Sequence, residues 1–464
     1  MHDRSIGKKP IKISFTDKLM SAYGGFSLLS HLFEKLDFEN EVNEMIPFQE
    51  TSPNSCGVFA KIVKIGLTTM AGGNRFTHSI FLGDSLDVYE NVFGIERMPK
   101  SISALTRFFN KFSCQSMVET LSDRLWSFTF SKILPENVKE DFLSFDSSIV
   151  TRYGDQEGAK KGYNPKKKGR HSHHPIFAFL NRSKYIVNLW NRSGDCSSGN
   201  GIVDFATQTL TRLDGRVSIK GVMADSGYYK VDFIDFLESR SHDYVIAAPM
   251  IGPIQAQVYS LESWTQVDEG IYIGEFEFEH QDGKWTKPRR YLVVKQAINQ
   301  LKAAKGKKLS LFPEEDEKIF NWRYGVYITS SDRDAMELWR QYRLRAGDEN
   351  IIKENKQDFG LEGYAQESFY ATEASMLIRI MFYNIFNLFR SKFLPEPESK
   401  QTLHTIRSKY FIIPSLLGKD GRSPVLRLGI RKENVRAKFS KIIDNITEYF
   451  SKGIAFGSPP TKDS

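Results

Sequence analysis

Two aspartates and one short run of polar residues have the types and spacing that metal-assisted phosphate chemistry would need. Asp146 lies in Ser144-Phe145-Asp146-Ser147-Ser148, an otherwise strand-like segment. An ionised Asp inside a strand is costly unless it is paired, hydrogen-bonded or bound to a metal. Asp225 closes a second such segment, Val222-Met223-Ala224-Asp225-Ser226-Gly227. Functional groups of α/β sheets collect at the carboxyl ends of strands. Plainer readings stand beside these: a solvated edge-strand Asp for Asp146, and a helix N-cap for Asp225. The third feature is Tyr342, Arg345, Glu349 and Lys356, at offsets 0, 3, 7 and 14. At about 100° per residue they project within about 60° of one helical face. Such a face can hold a metal through Glu349 and phosphates through Arg345, Lys356 and Tyr342. It fits equally a solvated face with an Arg345–Glu349 pair. The alignment needs one continuous helix, and Gly347, which costs about 1 kcal/mol relative to Ala, lies inside it.

Positioning these groups requires a scaffold, and the pattern along the chain supplies one. Leu28, Leu29, Leu32, Phe33 and Leu36, then Val58, Ile62, Ile65 and Leu67, recur at helical spacing. They predict a helical N-terminal domain over 1–135, in which Ser101–Phe112, with Arg107 and Lys111, reads either as a recognition helix or as a plain bundle helix. From Asp141 the texture changes. Phe142–Val150, Pro175–Leu180, Tyr185–Trp190, Ser218–Ala224 and Tyr244–Ala248 read as strands, with helices over Asn200–Leu213 and Val231–Ser239. That order implies an α/β core with parallel pairing, its first part spanning 136–250. Residues 251–322 form a β-rich insertion, with turns at Gly270 and Asp282-Gly283 and a basic stretch at Lys302–Lys308. A strand over Tyr324–Thr329 and helices over Asp334–Asp358 and Ala371–Phe389 complete the core across 323–395. A basic helical region over 396–464 ends the chain; its stretch Arg422–Lys441 suits DNA binding or dimerisation.

Bulk properties agree with several domains. The chain has 464 residues, 40% hydrophobic and 26% charged, and a formal net charge of +8. That is more chain than one core serves, and the positive surplus favours a polyanionic partner. Cys56, Cys114 and Cys196 lie too far apart for a disulfide framework or a CxxC metal site, which suits a reducing, cytoplasmic setting. No signal-peptide core is visible, and Met376–Phe389 is too short and too polar to span a bilayer. No membrane partner is expected.

The spacing Tyr342-x-x-Arg345-x-x-x-Glu349-(six residues)-Lys356 resembles the Tyr-Arg-Glu-Lys signature of the bacterial insertion-sequence transposases of family four. The segments Tyr153–Ala159, Gly162-Tyr163-Asn164-Pro165, Gly169-Arg170 and His174-Pro175 are similar to the related family thirteen-eighty. So are Ala22-Tyr23-Gly24-Gly25 and Ala71–Arg75. The resemblance covers residues 12 to at least 390. It implies a ribonuclease-H-like core interrupted by a β-rich insertion, with Asp146, Asp225 and Glu349 as the catalytic carboxylates. Such an insertion explains the long interval from Asp225 to Glu349, far more than one strand and one helix need.

On this resemblance the three carboxylates would hold two Mg²⁺ or Mn²⁺ ions, since hard oxygen ligands select such metals. Asp146 would bridge them, and Asp225 and Glu349 would each bind one. The ions would activate a water or a 3′-hydroxyl for in-line attack at phosphorus. Arg345 and Lys356 would grip phosphates, and Tyr342 would bond a phosphate or order its helix. Lys160, Lys161, Lys166, Lys167, Lys168 and Arg170, with no acid between Lys160 and His174, would contact transposon-end DNA or else form a solvated hairpin loop. Trp264, Trp285 and Trp322 would stack on an extruded base or pack a small sheet. His171, His173 and His174 lack the further ligands that zinc needs. The expected activity is binding of terminal inverted repeats, cleavage of the element ends and joining of 3′-hydroxyls to target DNA, by a homodimer. A nuclease without strand transfer and an inactive DNA-binding relative are the rivals. A glycosidase, the other common user of paired carboxylates, would leave the basic surface unexplained.

Overall fold

In a computed structural model the protein is described over residues 5–6, 11–12, 14–165, 167–281, 283–298, 322–364 and 366–452. Lys166 and the basic stretch Lys302–Lys308 lie outside the described residues. The chain packs as two units. One comprises Met1–Leu125, Glu354–Gln366 and Met381–Ser464; the other comprises Trp126–Lys353 and Glu367–Ile380.

The second unit is built on a nine-stranded sheet. Its strands are β1 (Glu140–Ser147), β2 (Ile176–Leu180), β3 (Tyr185–Trp190), β4 (Ser218–Ala224), β5 (Tyr244–Ala248), β6 (Thr265–Asp268), β7 (Ile271–Phe278), β8 (Arg289–Ala297) and β9 (Trp322–Thr329). The spatial order is β6-β7-β8-β9-β5-β4-β1-β2-β3. Strand β4 runs parallel to both β1 and β5, while every other pairing is antiparallel. The parallel pairing expected of the core is therefore confined to its centre. The β-rich residues after 251 continue the core sheet edge to edge through β9, which pairs β5 on one side and β8 on the other.

Sequence explains the central strands directly. Ile176-Phe177-Ala178-Phe179-Leu180 is buried at every position, as a strand covered on both faces must be. The turn into β3 is organised by Asp141, which is fully buried and accepts the backbone N–H groups of Phe142, Arg182 and Ser183 and the Ser183 hydroxyl at 2.7–3.0 Å. On one face of the sheet, Phe145 meets Phe205 of α1 (Ile202–Leu213) and Phe233 of α2 (Val231–Ser239), with ring centroids 5.9 Å apart in both pairs. Helix α3 (Ala335–Arg343) packs Ala335, Leu338 and Trp339 against Val245, Ile273, Leu292 and Val294. Asp334 starts that helix by accepting the N–H groups of Met336 and Glu337, each at 3.0 Å. Helices α4 (Ala346–Gln357) and α5 (Phe369–Leu388) follow.

The single helix expected over Asp334–Asp358 is two. Between α3 and α4 the N–H groups of Leu344, Arg345, Gly347 and Asp348 each bond the carbonyl three residues back, at 2.9–3.0 Å. This tight turn centres on Leu344 and Arg345, ahead of Gly347.

The first unit is mainly helical. Helices Phe26–Lys35 and Gly57–Met70 bury the residues whose spacing marked them. Gly66 is obligatory: a Cβ there would lie 2.3 Å from the Phe382 ring. Helix Ile102–Asn110, capped by the Ser101 hydroxyl, buries Leu105, Phe108 and Phe109, while Arg107 stays exposed. Where a helical C-terminal region is expected, a hairpin of Ser415–Asp420 and Ser423–Leu428 precedes helix Glu433–Ser451 and adds to Met20–Ser21. No helix among the described residues is long and apolar enough to cross a membrane.

Phe145 ties both flanking helices to the strand that carries Asp146. Phe145→Ala should destabilise the second unit by about 3–5 kcal/mol, as a loss of that size is usual for a buried Phe. Urea unfolding followed by tryptophan fluorescence measures it, and a change below about 1 kcal/mol would show that the strand is held otherwise.

Candidate active site

Asp146 stands near the carboxyl end of β1, which is central in the sheet and not at its edge. The solvated edge-strand reading therefore fails: Asp146 is only 7% exposed. One carboxylate oxygen accepts the Ser147 N–H at 2.8 Å, and the other meets Arg345 Nη2 at 3.2 Å. Asp225 follows the neighbouring parallel strand β4. Here the cap and the strand-end site coincide. Its Oδ1 accepts the Gly227 N–H at 2.8 Å, capping the turn Ser226–Tyr228, while its Oδ2 lies 3.6 Å from the same Arg345 Nη2. Parallel pairing of β1 with β4 is what sets the two carboxylates side by side.

Arg345, buried in the turn between α3 and α4, thus faces two aspartates instead of forming a surface pair. Its Nε is buried without a hydrogen-bond partner among the described residues. Burial disfavours its charge, but Asp146, Tyr342 and Asp225 outweigh that and raise its pKa. The Asp146 carboxyl is pushed up to about 6. Burial is the main cause, Arg345 opposes it, and the charges of Asp225 and Glu349 add to the rise.

Tyr342 orders its surroundings: its hydroxyl donates to the Ala224 carbonyl at 3.2 Å and its ring lies 4.5 Å from that of Tyr327. It therefore holds the end of β4 immediately before Asp225. Glu349 is exposed in the first turn of α4, where a helix N-terminus favours an acid. Lys356, later on the same helix, belongs to the first unit and pairs with Glu362 at 2.9 Å. Glu354 is also engaged there, in a bidentate pair with Arg390 at 2.9 Å. Among the described residues, no three acids, histidines or cysteines stand together closely enough to hold one ion. The donors that do meet, Asp146 and Asp225, are hard oxygens suited to Mg²⁺ or Mn²⁺.

The basic loop forms a three-stranded flap of Val150–Thr151, His171–His173 and Lys160–Lys161. Lys160, Lys161, Lys167, Lys168 and Arg170 are exposed, and Lys160 reaches Asp195 at 3.2 Å. Tyr153 and Tyr163, which no spacing pattern marks as stacking aromatics, project from this flap at 72% and 77% exposure. Lys167 Nζ sits 4.9 Å from the Tyr153 ring. The histidines serve the flap's base: His173 bonds the Glu157 carbonyl at 2.8 Å, and His174 bonds Ser147 Oγ at 3.0 Å and the Cys196 carbonyl at 2.7 Å.

The tryptophans separate into two groups. Trp264 and Trp322 flank Lys295, whose ammonium lies 5.0 and 4.4 Å from their rings. Trp285 is 9% exposed, stacked on Tyr229 at 5.2 Å, with Arg289 at 5.1 Å over its ring. It is thus tied to a residue four positions beyond Asp225. Arg289 in turn bonds Glu238 of α2 at 2.8 and 3.0 Å.

A mixed α/β sheet presenting two aspartates at adjacent parallel strand ends is consistent with the ribonuclease-H-like scaffold of polynucleotidyl-transfer enzymes. The chain belongs to the transposase DDE domain family, group 1, whose model matches residues 3–449. None of the curated proteins matches the sequence. Among solved structures the chain is similar to a piggyBac transposase in a cryo-EM structure of its synaptic complex with hairpin DNA. The two share 12% identity with a TM-score of 0.44, over 94% of this chain and 83% of that one.

The Asp146 carboxyl titrates in the folded protein near 6, above the ordinary value of 3.8. Its contribution to stability is therefore full below about pH 4 and lost as pH rises through about 6. In EDTA, Asp146→Asn should melt several degrees above wild type at pH 8, with a much smaller gap at pH 4. Calorimetry at both pH values tests this, and a gap independent of pH would contradict it.

Proposed function

We propose that the protein is an insertion-sequence transposase of the Tyr-Arg-Glu-Lys type, which cleaves the ends of its element and joins the 3′-hydroxyls to target DNA. The observation that carries the reading is the convergence of Asp146 and Asp225 on one buried guanidinium, with Glu349 close enough for its charge to raise the Asp146 pKa. Asp146, Asp225 and Glu349 would hold two Mg²⁺ or Mn²⁺ ions. Bound there, such ions supply activation of a water or 3′-hydroxyl and stabilisation of the leaving oxygen.

The chain's own residues have the following parts. Asp146 and Asp225 must be ionised to serve as ligands, and the Arg345 guanidinium opposes the rise that burial imposes on the Asp146 carboxyl. The same guanidinium would engage a phosphate beside the scissile bond, since a planar guanidinium matches phosphate oxygens. Tyr342 fixes the approach of Asp225 by holding Ala224. Lys356 contacts the DNA backbone from further along the Glu349 helix. The flap, through Lys160, Lys161, Lys166, Lys167, Lys168 and Arg170, follows the backbone of transposon-end DNA. Its two exposed tyrosines add stacking surface for bases that leave the duplex. Of the three tryptophans, Trp285 is the one linked to the Asp225 segment by ring contact. The working form is a homodimer with one DNA end per protomer, acting in the bacterial cytoplasm.

Two measurements test this. Wild type should cut DNA bearing the element's own terminal repeats in Mg²⁺ or Mn²⁺ but not in EDTA, and should join the cut ends to a target plasmid. Asp146→Ala, Asp225→Ala and Glu349→Ala should each lower cleavage by at least about a thousandfold while still binding the ends. Cleavage without joining would favour a nuclease, and retained activity in Glu349→Ala would remove it from the triad. For the flap, changing Lys160, Lys161, Lys167 and Lys168 to Gln should weaken end binding. The slope of log affinity against log salt should become shallower by about one for each phosphate that is no longer neutralised. An unchanged slope, read from binding titrations at several salt concentrations, would detach the flap from DNA.

A further inference from the structure

Directly beside Glu349 lies an acid that no part of the proposed chemistry uses. Asp348 is 1% exposed, whereas Glu349 is exposed. Its two carboxylate oxygens are both engaged. One accepts the Ser144 hydroxyl, and the other accepts the Asn181 amide at 2.8 Å. The Asn181 amide also reaches Ser144 Oγ at 3.0 Å, closing the triangle. Asn181 is itself pinned, since its N–H bonds the Phe142 carbonyl at 2.9 Å.

The placement matters more than the bonds themselves. Ser144 and Asp146 are two apart on β1, so they share one face of the sheet. Asp348 lies in the first turn of α4, next to the tight turn that interrupts the expected helix. The tight turn joins the start of α4 to α3 and not to β1, so a further tie is what docks it on the Asp146 strand. Among the described residues, the triangle of Asp348, Ser144 and Asn181 supplies such a tie. A buried carboxylate is costly when unsatisfied, so the helix start is held where both bonds can form. Glu349, the next residue, is then carried to a set distance from Asp146.

We infer that Asp348 is a positioning residue, whose contacts with Ser144 and Asn181 dock the start of the Glu349 helix on the Asp146 strand and preorganise the third carboxylate. The inference rests on the reading of Glu349 as a metal ligand. Groups that orient ligands commonly contribute tenfold or more to metal affinity.

The test is a Mn²⁺ titration of the chelator-treated full-length protein, followed by the electron paramagnetic resonance signal of free Mn²⁺, with end-DNA binding measured in parallel. Asp348→Ala should weaken Mn²⁺ binding about tenfold and leave DNA binding unchanged. Asp348→Asn, which keeps an acceptor oxygen and the side-chain shape, should stay within roughly threefold of wild type. In a Glu349→Ala background, Asp348→Ala should add nothing, because its effect runs through Glu349. If Asp348→Ala does not fold, Asn181→Ala breaks the same triangle without touching the helix, and should weaken binding by an intermediate factor. A loss that persists in the Glu349→Ala background would make Asp348 a ligand in its own right. Affinity unchanged in Asp348→Ala, or in Asn181→Ala where that variant stands in, would end the proposal while leaving the triad intact. A wild type that binds no Mn²⁺ would instead overturn the metal reading, and the role of Asp348 with it.

Discussion

A single buried guanidinium organises this protein's centre. Two aspartates brought side by side at strand ends repel each other, and one of them, Asp146, is almost entirely withdrawn from water. Without a counter-charge the folded state would hold that carboxyl protonated or not form the arrangement at all. Arg345 at 3.2 and 3.6 Å supplies the charge. It can do so only because the chain leaves α3, makes one tight turn and starts α4 anew. A continuous helix would put Arg345 in line with Glu349 on an open face; the break turns it into the sheet.

The sheet makes that centre rigid. Nine strands run through one hydrogen-bonded surface, so the strands that follow Asp225 in the chain extend the strands that carry the aspartates. The extension is also tied to the core by charge. Arg289 at the start of β8 is bonded to Glu238 and Asp235 of α2. Burial works against the Glu238 carboxylate, yet Arg289, Lys287 and Tyr244 hold its pKa down at about 2. Such a buried pair is worth more for fixing geometry than for net stability.

Function asks something different of the flap and of the Trp285 cluster. The flap exposes lysines and two tyrosines, groups that stay solvated until a partner arrives. Trp285 is already stacked on Tyr229 and covered by Arg289. A base could reach it only by displacing one of those neighbours, whereas Tyr153 and Tyr163 offer their rings without rearrangement. Trp285, read from sequence as a stacking candidate, is thus less accessible than two tyrosines that no sequence pattern singled out.

Much was legible in the sequence because it is local. Strands β3, β4 and β5 and helix α2 fall where apolar runs and turn residues place them, and the spacing of Leu28, Leu32 and Val58 through Leu67 marks buried helix faces. The residue types that hold the site, Asp146, Asp225, Tyr342 and Arg345, were also visible, since a polar group inside an apolar strand or on one helical stripe stands out against its neighbours. What the sequence could not determine was which of these meet. Arg345 read equally well as a surface partner of Glu349, and Asp348 looked like any acid in a first helical turn. Ser144 and Asn181 carried no signal at all. Their roles depend on hydrogen bonds between residues far apart in the chain, and such bonds exist only once strand order and the break after α3 have set the distances. Pattern reports the face a residue prefers; only the tertiary structure decides what lies across from it.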